Sequence, residues 1–273
     1  MCGRYASARK RIELLEEFRV DKDRVADPLE PDYNVAPTKR VYAVLSRVSQ
    51  NQAPEGGQGR RGASGDGDGD GEGDAEAATR QLRVLRWGLV PSWAKDPSIG
   101  SRMINARAET VDSKPAYRKA FARRRCLLPA DGYYEWQPAK IGAKTVKQPF
   151  FISRRDGGSL AMAGLYELWR DRDMPDDHPN AWMWTATIIT TDAPDELGRI
   201  HNRMPMIIDK DHWADWLDPA NDKPADLREL LAPATAGGLV WHPVSTLVNS
   251  VRHNGPELIE PVELDTAAGD GSG

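Results

Sequence analysis

Two apolar segments, VYAVLSRV at 41–48 and LRVLRWGL at 82–89, are separated by a stretch that cannot join a core. Residues 49–78 read SQNQAPEGGQGRRGASGDGDGDGEGDAEAA and carry nine of the 24 glycines, at 56, 57, 59, 62, 65, 67, 69, 71 and 73. With almost no apolar side chains, the stretch cannot bury enough surface to offset the entropy of ordering it. The flanking segments read as the two arms of a β-hairpin. The stretch is therefore expected to be a disordered insertion at a hairpin tip, where added residues cost little. Because it interrupts a hairpin instead of separating two cores, it predicts one domain. Asp66, Asp68, Asp70 and Gly71 begin like a calcium loop, but position twelve is Ala77 where a bidentate Glu is required. A solvated acidic linker is the reading that remains.

The rest of the chain alternates short apolar runs with turn residues. Ile12, Leu15 and Phe18 recur at helical spacing and predict an amphipathic helix within 8–19. A second helix is expected at 114–124, with short helices at 193–198 (N-capped by Asp192), 211–217 and 225–231. Strands are expected at 126–129, 132–137, 150–153, 160–168, 182–190, 206–208 and 241–244. Neither a repeat nor a βαβ period emerges. The pattern predicts an α+β fold, a single compact domain with a mostly antiparallel, barrel-like sheet and peripheral helices. The domain is expected over residues 2–264, with the insertion at about 49–80 and a disordered tail at 265–273.

The formal net charge of −4 argues at first against a nucleic-acid partner. The average hides two kinds of chain. The insertion holds two basic and seven acidic residues, a charge of −5, and the tail adds −2, so the remaining body is +3. Between Arg102 and Arg125 eight Lys and Arg face only Glu109 and Asp112, a local charge of +6. Such a stretch attracts phosphates, and it equally fits a solvated helix face. No run of 18 apolar residues predicts a membrane span, and MCGRYASARK has no secretory apolar region. Two cysteines make no disulfide framework, which predicts the cytoplasm. Without a C-x-x-C or a His pair at ligand spacing, no metal and no cofactor is expected.

Cys2 is the first residue with distinctive chemistry. Removal of Met1 would leave an α-amine and a thiol on one residue, with ordinary pKa values of about 7.7–8.0 and about 8.5. A 1,2-aminothiol condenses with an aldehyde to an imine, and the thiol then closes a thiazolidine ring. Cys2 could equally be an acyl-transfer nucleophile or inert. Cys126, before two leucines, reads as a small buried hydrophobe. Glu135 in GYYEW is hemmed by aromatics, which desolvate a carboxylate and suit proton transfer, although it could also point out of a half-buried strand. His201 in IHNRMPMII is the candidate histidine; His178 and His212 read as surface, and His242 and His253 as packing residues. Trp87 and Trp93 bracket a Gly/Pro turn, and aromatics beside basic residues are how single strands are held, or are simply core.

Taken in order, these segments closely resemble one family. MCGRYA (1–6), YNVAPT (33–38), RWGLVPSWA (86–94), INARAET (104–110), RRCLLPADGYYEW (124–136), AGLYELW (163–169), IHNRMPMII (200–208) and WHPVSTLVNSVRHNGPELIEPV (241–262) are similar to the SRAP family, the SOS-response-associated peptidases. The resemblance implies a compact α+β domain with a basic single-strand groove. It implies a sensor of abasic sites in single-stranded DNA that crosslinks the ring-opened sugar aldehyde through Cys2 as a thiazolidine and shields the lesion. In that reading Cys2 is the nucleophile, Asn105 orients the N-terminus, Glu135 is the acid/base and His201 the family histidine. Arg4, Asn34, Pro37, Trp87, Arg107 and Thr110 fall in motifs expected to line the DNA groove. Imine chemistry on an abasic sugar also permits β-elimination, hence lyase activity, and the family name carries a self-processing peptidase activity. The expected partners are abasic single-stranded DNA and proteins of the replication fork. A monomer, nucleoid-associated when bound to DNA, is expected. The competing readings are a thiol hydrolase using Cys2 on an amide substrate and a non-catalytic single-strand binder.

Overall fold

The computed structural model describes residues 2–48, 78–141, 144–175, 177–231 and 238–264. Residues 49–77 of the expected insertion, with the calcium-like aspartates, and the expected tail lie outside the described residues. Thirteen strands are described: β1 (Tyr5–Ser7), β2 (Lys22–Asp23), β3 (Asp32–Val35), β4 (Arg40–Val48), β5 (Ala78–Trp87), β6 (Asn105–Arg107) and β7 (Arg125–Ala130) in the first half. They continue with β8 (Gly132–Ile141), β9 (Lys144–Arg154), β10 (Leu160–Arg170), β11 (Trp182–Asp192), β12 (Arg203–Pro205) and β13 (Leu239–Pro243). The helices are short: α1 (Arg11–Glu17), α2 (Arg118–Arg123), α3 (Asp195–Gly198), α4 (Trp213–Leu217) and α5 (Pro224–Glu229). Among the described residues no helix is long and apolar enough to cross a membrane.

β11, β10, β7, β4 and β5 pair antiparallel in that order, and β5 returns to β11 in parallel through Arg86↔Thr185 and Trp87↔Ala186. This closes a five-stranded barrel, as the apolar patterning predicts. β4 and β5 pair from Arg40↔Arg86 to Val48↔Ala78, so residues 49–77 join the open ends of one hairpin. The strand already includes Ala78–Arg80, which moves the end of the insertion back from about 80 to 77. Past Trp87 the chain turns at Gly88 (φ +125°), where a Cβ would lie 2.5 Å from the Gly100 carbonyl oxygen. Only glycine fits so close an approach at that φ. β6 then takes over beside β11, pairing in parallel through Ile188↔Asn105 and Thr190↔Arg107.

A second sheet, in the order β13–β9–β8–β1–β3, packs against the barrel. One apolar cluster joins the barrel to this sheet, with Tyr5, Val35, Tyr133 and Ile152 against Trp87, Leu128 and Ile188. A second seats the helices on the barrel's outer side through Leu14, Phe18, Phe121, Trp213 and Trp216. The chain's end covers the far face of the second sheet, with Val244, Val248 and Leu258 against Tyr134 and Phe151.

Three local expectations shift. In α1 the buried residue is Leu14, with Phe18 just beyond, while Ile12 is exposed, because Leu14 and Phe18, four residues apart, share the core-facing side and Ile12, two residues before Leu14, points away from it. Asp192 does not cap α3; it ends β11 and pairs with Arg203, and Pro194 precedes the helix. The strand expected at 206–208 begins earlier, as β12, where Arg203–Pro205 pair with Asp192–Thr190; Ile207 then bridges antiparallel to Met162, and Met206 and Ile208 are buried in the helix-side cluster.

Candidate functional site

The N-terminal segment runs antiparallel to β8, with Tyr5↔Tyr133 in register and the Tyr134 N–H donating to the Arg4 carbonyl at 3.0 Å. Carried back to the start of the chain, this register sets Gly3 opposite Glu135 and Cys2 opposite Trp136, one residue on, and Cys2 lies close enough to Glu135 for their charges to interact. Cys2 is fully buried at the seam between the two sheets. From the barrel side, β6 supplies Asn105, whose side-chain amide donates to the Cys2 carbonyl at 2.8 Å. β6 is itself held by β11, so the residue that grips Cys2 rests on the barrel wall.

Strand alternation places Glu135 on the same face as Tyr133, toward this seam, and Tyr134 on the opposite face. Burial raises the Glu135 carboxyl from 4.5 to about 7. Burial also pushes the Cys2 thiol well above its ordinary value, and the neighbouring Glu135 charge adds to the effect. Glu135 in turn lines a cavity of about 430 Å³ together with Trp136, Lys147, His201 and Asn249. His201 follows α3, and its Nδ1 lies 3.0 Å from the Arg203 N–H and 3.2 Å from the Arg203 carbonyl. Burial lowers its pKa, and the Lys147 and Arg203 cations act in the same direction. A neutral ring is favoured near pH 7, and its Nδ1 faces both the N–H and the carbonyl of Arg203. A carboxyl that titrates near neutrality and an imidazole thus share one cavity, and the buried Cys2 thiol lies close enough to Glu135 for their charges to interact. Such a set suits proton transfer around a carbonyl carbon.

A family model described as SOS response associated peptidase (SRAP) matches residues 1–251. The chain belongs to the SRAP family. It is 37% identical over 260 residues to the abasic site processing protein YoqW of Bacillus subtilis (strain 168), covering 95% of this chain and 99% of that protein. It is 33% identical over 296 residues to the abasic site processing protein HMCES of Gallus gallus, covering 97% of this chain and 79% of that one. A crystal structure of a Bacteroides thetaiotaomicron protein shares the fold, with a TM-score of 0.72 at 24% identity over 96% of this chain and 100% of that chain.

Within this SRAP domain, Cys2, Asn105, Glu135 and His201 converge from four separate stretches of sequence. The six residues expected to line a DNA groove divide. Trp87 has no exposed surface; its ring packs edge-on against Tyr5 and its Nε1 donates to the Ile104 carbonyl at 2.9 Å. It is therefore a core residue with no ring face to offer a base. Asn34 is also fully buried. Its amide donates to the carbonyls of Val248 (3.3 Å), Ser250 (3.0 Å) and His253 (3.1 Å), and its Oδ1 accepts from Arg4 at 2.7 Å. Arg4 also donates to the Val248 carbonyl at 2.9 Å. Asn34 and Arg4 thus pin the loop that carries Asn249 to the cavity wall. Pro37 is half-buried before a turn whose Thr38 (φ +72°) donates its N–H to the Trp87 carbonyl. Thr110 is half-buried, and its carbonyl accepts the N–H groups of Ser113 and Lys114. Arg107 remains exposed, on the same face of β6 as Asn105.

The basic stretch divides in the same way. Arg125 is buried and donates to five carbonyls, those of Phe121, Ala122, Trp216, Asp218 and Asn221. Arg124 pairs with Glu167, and Arg123 with Asp222. Arg102, Arg107, Lys114, Arg118 and Lys119 are exposed. Cys126 is fully buried, as expected of a small hydrophobe. The residues missed in the sequence are Lys147 and Asn249. Asn249 stands inside the 241–262 motif but is one polar residue among many. Lys147 lies outside every motif, and only the β8–β9 pairing brings it to the cavity.

Proposed function

We propose that this chain processes abasic sites in single-stranded DNA by forming a thiazolidine crosslink through Cys2, exposed as the N-terminal residue by removal of Met1. The observation that carries this reading is a connected set: Glu135 and His201 line one cavity, the buried Cys2 lies beside Glu135, and Asn105 donates to the Cys2 carbonyl. The names of the relatives YoqW and HMCES support the same substrate class.

The chemistry follows from the geometry. The His201 Nε2–H donates to the sugar ring oxygen and favours the open aldehyde. The α-amine of Cys2 attacks the aldehyde carbon, and Glu135 delivers the proton that expels water, leaving an imine. The Cys2 thiol adds to the imine carbon and its proton passes to nitrogen, closing the ring with the net loss of one water. Asn105 holds the Cys2 carbonyl so that amine and thiol arrive on the same carbon, as a near-attack geometry requires. Glu135 accepts the proton lost in any competing β-elimination, which would cleave the strand. The crosslink itself keeps the lesion from that cleavage. A thiol hydrolase acting on amides needs a thiolate, and the buried Cys2 sulfur disfavours one.

Intact mass spectrometry after mixing the protein with abasic single-stranded DNA tests the reading. The expected product has the mass of the chain without Met1, plus the oligonucleotide, minus one water. No adduct, or an equally stable adduct with Cys2→Ala, overturns it.

A further inference from the structure

Beside Glu135 and His201 the cavity is lined by Trp136, Lys147 and Asn249, which the proposed chemistry does not use. Lys147 stands on β9 two residues before Pro149, which pairs with Trp136, and both Lys147 and Trp136 line the cavity. Asn249 ends a 3-10 turn, Thr246–Asn249, whose first turn is capped by the Ser245 side chain. Its Oδ1 accepts from the Trp136 Nε1 at 2.6 Å. That bond assigns the amide orientation and leaves the Asn249 NH2 group as the donor available to a ligand.

Both donors rest on anchored backbone. Gln148 donates to the Val244 carbonyl at 2.9 Å, and the Val244 N–H donates to the Pro149 carbonyl at 3.0 Å, which ties β9 to the loop before Asn249. Arg4 and Asn34 hold the same loop at Val248 from the other side. Among the described lining residues Glu135 is the one acid, and burial raises its carboxyl to about 7, which reduces the negative charge an incoming anion meets. A second cavity, lined by Arg154, Arg155, Asp156 and Asp209, mixes cations with carboxylates and its Arg154 pairs with Asp156, so it offers no comparable seat.

We propose that Lys147 and the Asn249 amide form a phosphate seat at the cavity mouth that holds the backbone phosphate next to the abasic sugar. An ammonium and an amide N–H₂ supply a charge-assisted and a neutral hydrogen bond to two phosphate oxygens. The seat would set the sugar's depth in the cavity, so that its C1 atom stands over the Cys2–Glu135 pair. This inference rests on the abasic-DNA reading.

The test uses the full chain and a single-stranded oligonucleotide with one tetrahydrofuran abasic analogue, which has no aldehyde and cannot crosslink. Affinity is measured by fluorescence anisotropy over a salt series. Lys147→Gln is expected to weaken binding about tenfold at low salt. Its log affinity against log salt should become less steep by about 0.7, the loss of one single-strand phosphate contact. Lys147→Arg should restore the slope. Asn249→Asp keeps the acceptor for Trp136 but replaces the donor with a second acceptor, so it should bind more weakly than Asn249→Ala. Circular dichroism establishes that each variant is folded. Wild-type slope and affinity in both Lys147→Gln and Asn249→Asp overturn the seat while leaving the DNA reading intact. Failure of the wild-type protein to bind the strand at all overturns the DNA reading itself.

Discussion

The side-chain amide of Asn105 donates to the main-chain carbonyl of Cys2 at 2.8 Å, and this bond spans the two sheets. It joins a residue on a strand added to the barrel with one on a segment that runs along β8. Asn105 does not titrate, so the restraint persists across pH. Asn105→Asp keeps the shape but turns a donor into a charged acceptor facing a carbonyl. Crosslinking to abasic DNA is expected to slow at least tenfold in single-turnover gels, with intact single strands bound as before. An unchanged rate would mean that Cys2 is held by its strand pairing alone.

The pH dependence follows from Glu135. Its carboxyl is raised from 4.5 to about 7, so it remains a proton donor up to neutrality. The attacking amine is active when deprotonated, above about 7.7–8.0. The crosslinking rate should therefore be bell-shaped with a maximum between these values. Glu135→Gln should lower the rate and remove the decline on the alkaline side. An unaltered profile would exclude Glu135 as the donor.

The same shift enters stability. A carboxyl with a raised folded-state pKa binds its proton more tightly when folded, so the protein loses stability as pH rises from 4.5 to about 7. The loss attributable to Glu135 is on the order of 3 kcal/mol. Thermal unfolding of Glu135→Gln over this range should show a smaller decline than wild type, and parallel curves would contradict the burial argument.

Asn34 is expected to act on both stability and activity. Its buried amide serves three carbonyls and Arg4, and the loop it holds carries Asn249. Asn34→Ala should cost about 2–4 kcal/mol, since several buried partners lose their bonds together. Urea unfolding should show a lower midpoint at unchanged slope. Crosslinking should also slow, because the cavity wall loosens.

The insertion joins two strand ends that are already in register at Val48↔Ala78. Replacing residues 49–77 with Asn-Gly supplies a two-residue turn suited to such a hairpin. The shortened protein should fold and crosslink abasic DNA at about the wild-type rate. Failure to fold would show that the segment contributes contacts beyond the hairpin.

Much of this protein was decided by its sequence alone. Short alternating apolar runs bury a sheet on both faces, and that pattern dictates a barrel-like α+β domain. The placement of 49–77 at a hairpin tip follows from a low-complexity stretch that has nothing to bury, between two segments that do. Glu135 among aromatics already signals a desolvated carboxyl, because neighbouring bulk excludes water whatever the fold.

Direction and partnership were settled only by the tertiary structure. Trp87 and Asn34 sit in motifs that read as a DNA groove, yet both are buried and hold the fold, because composition does not say which way a strand residue faces. The basic stretch from Arg102 to Arg125 looks uniform in sequence, but Arg125 is enclosed by five carbonyls while Arg107 remains exposed. Lys147 carries no local signal at all. Its place beside His201 arises from long-range strand pairing, and a linear pattern holds no record of which distant residues share a cavity.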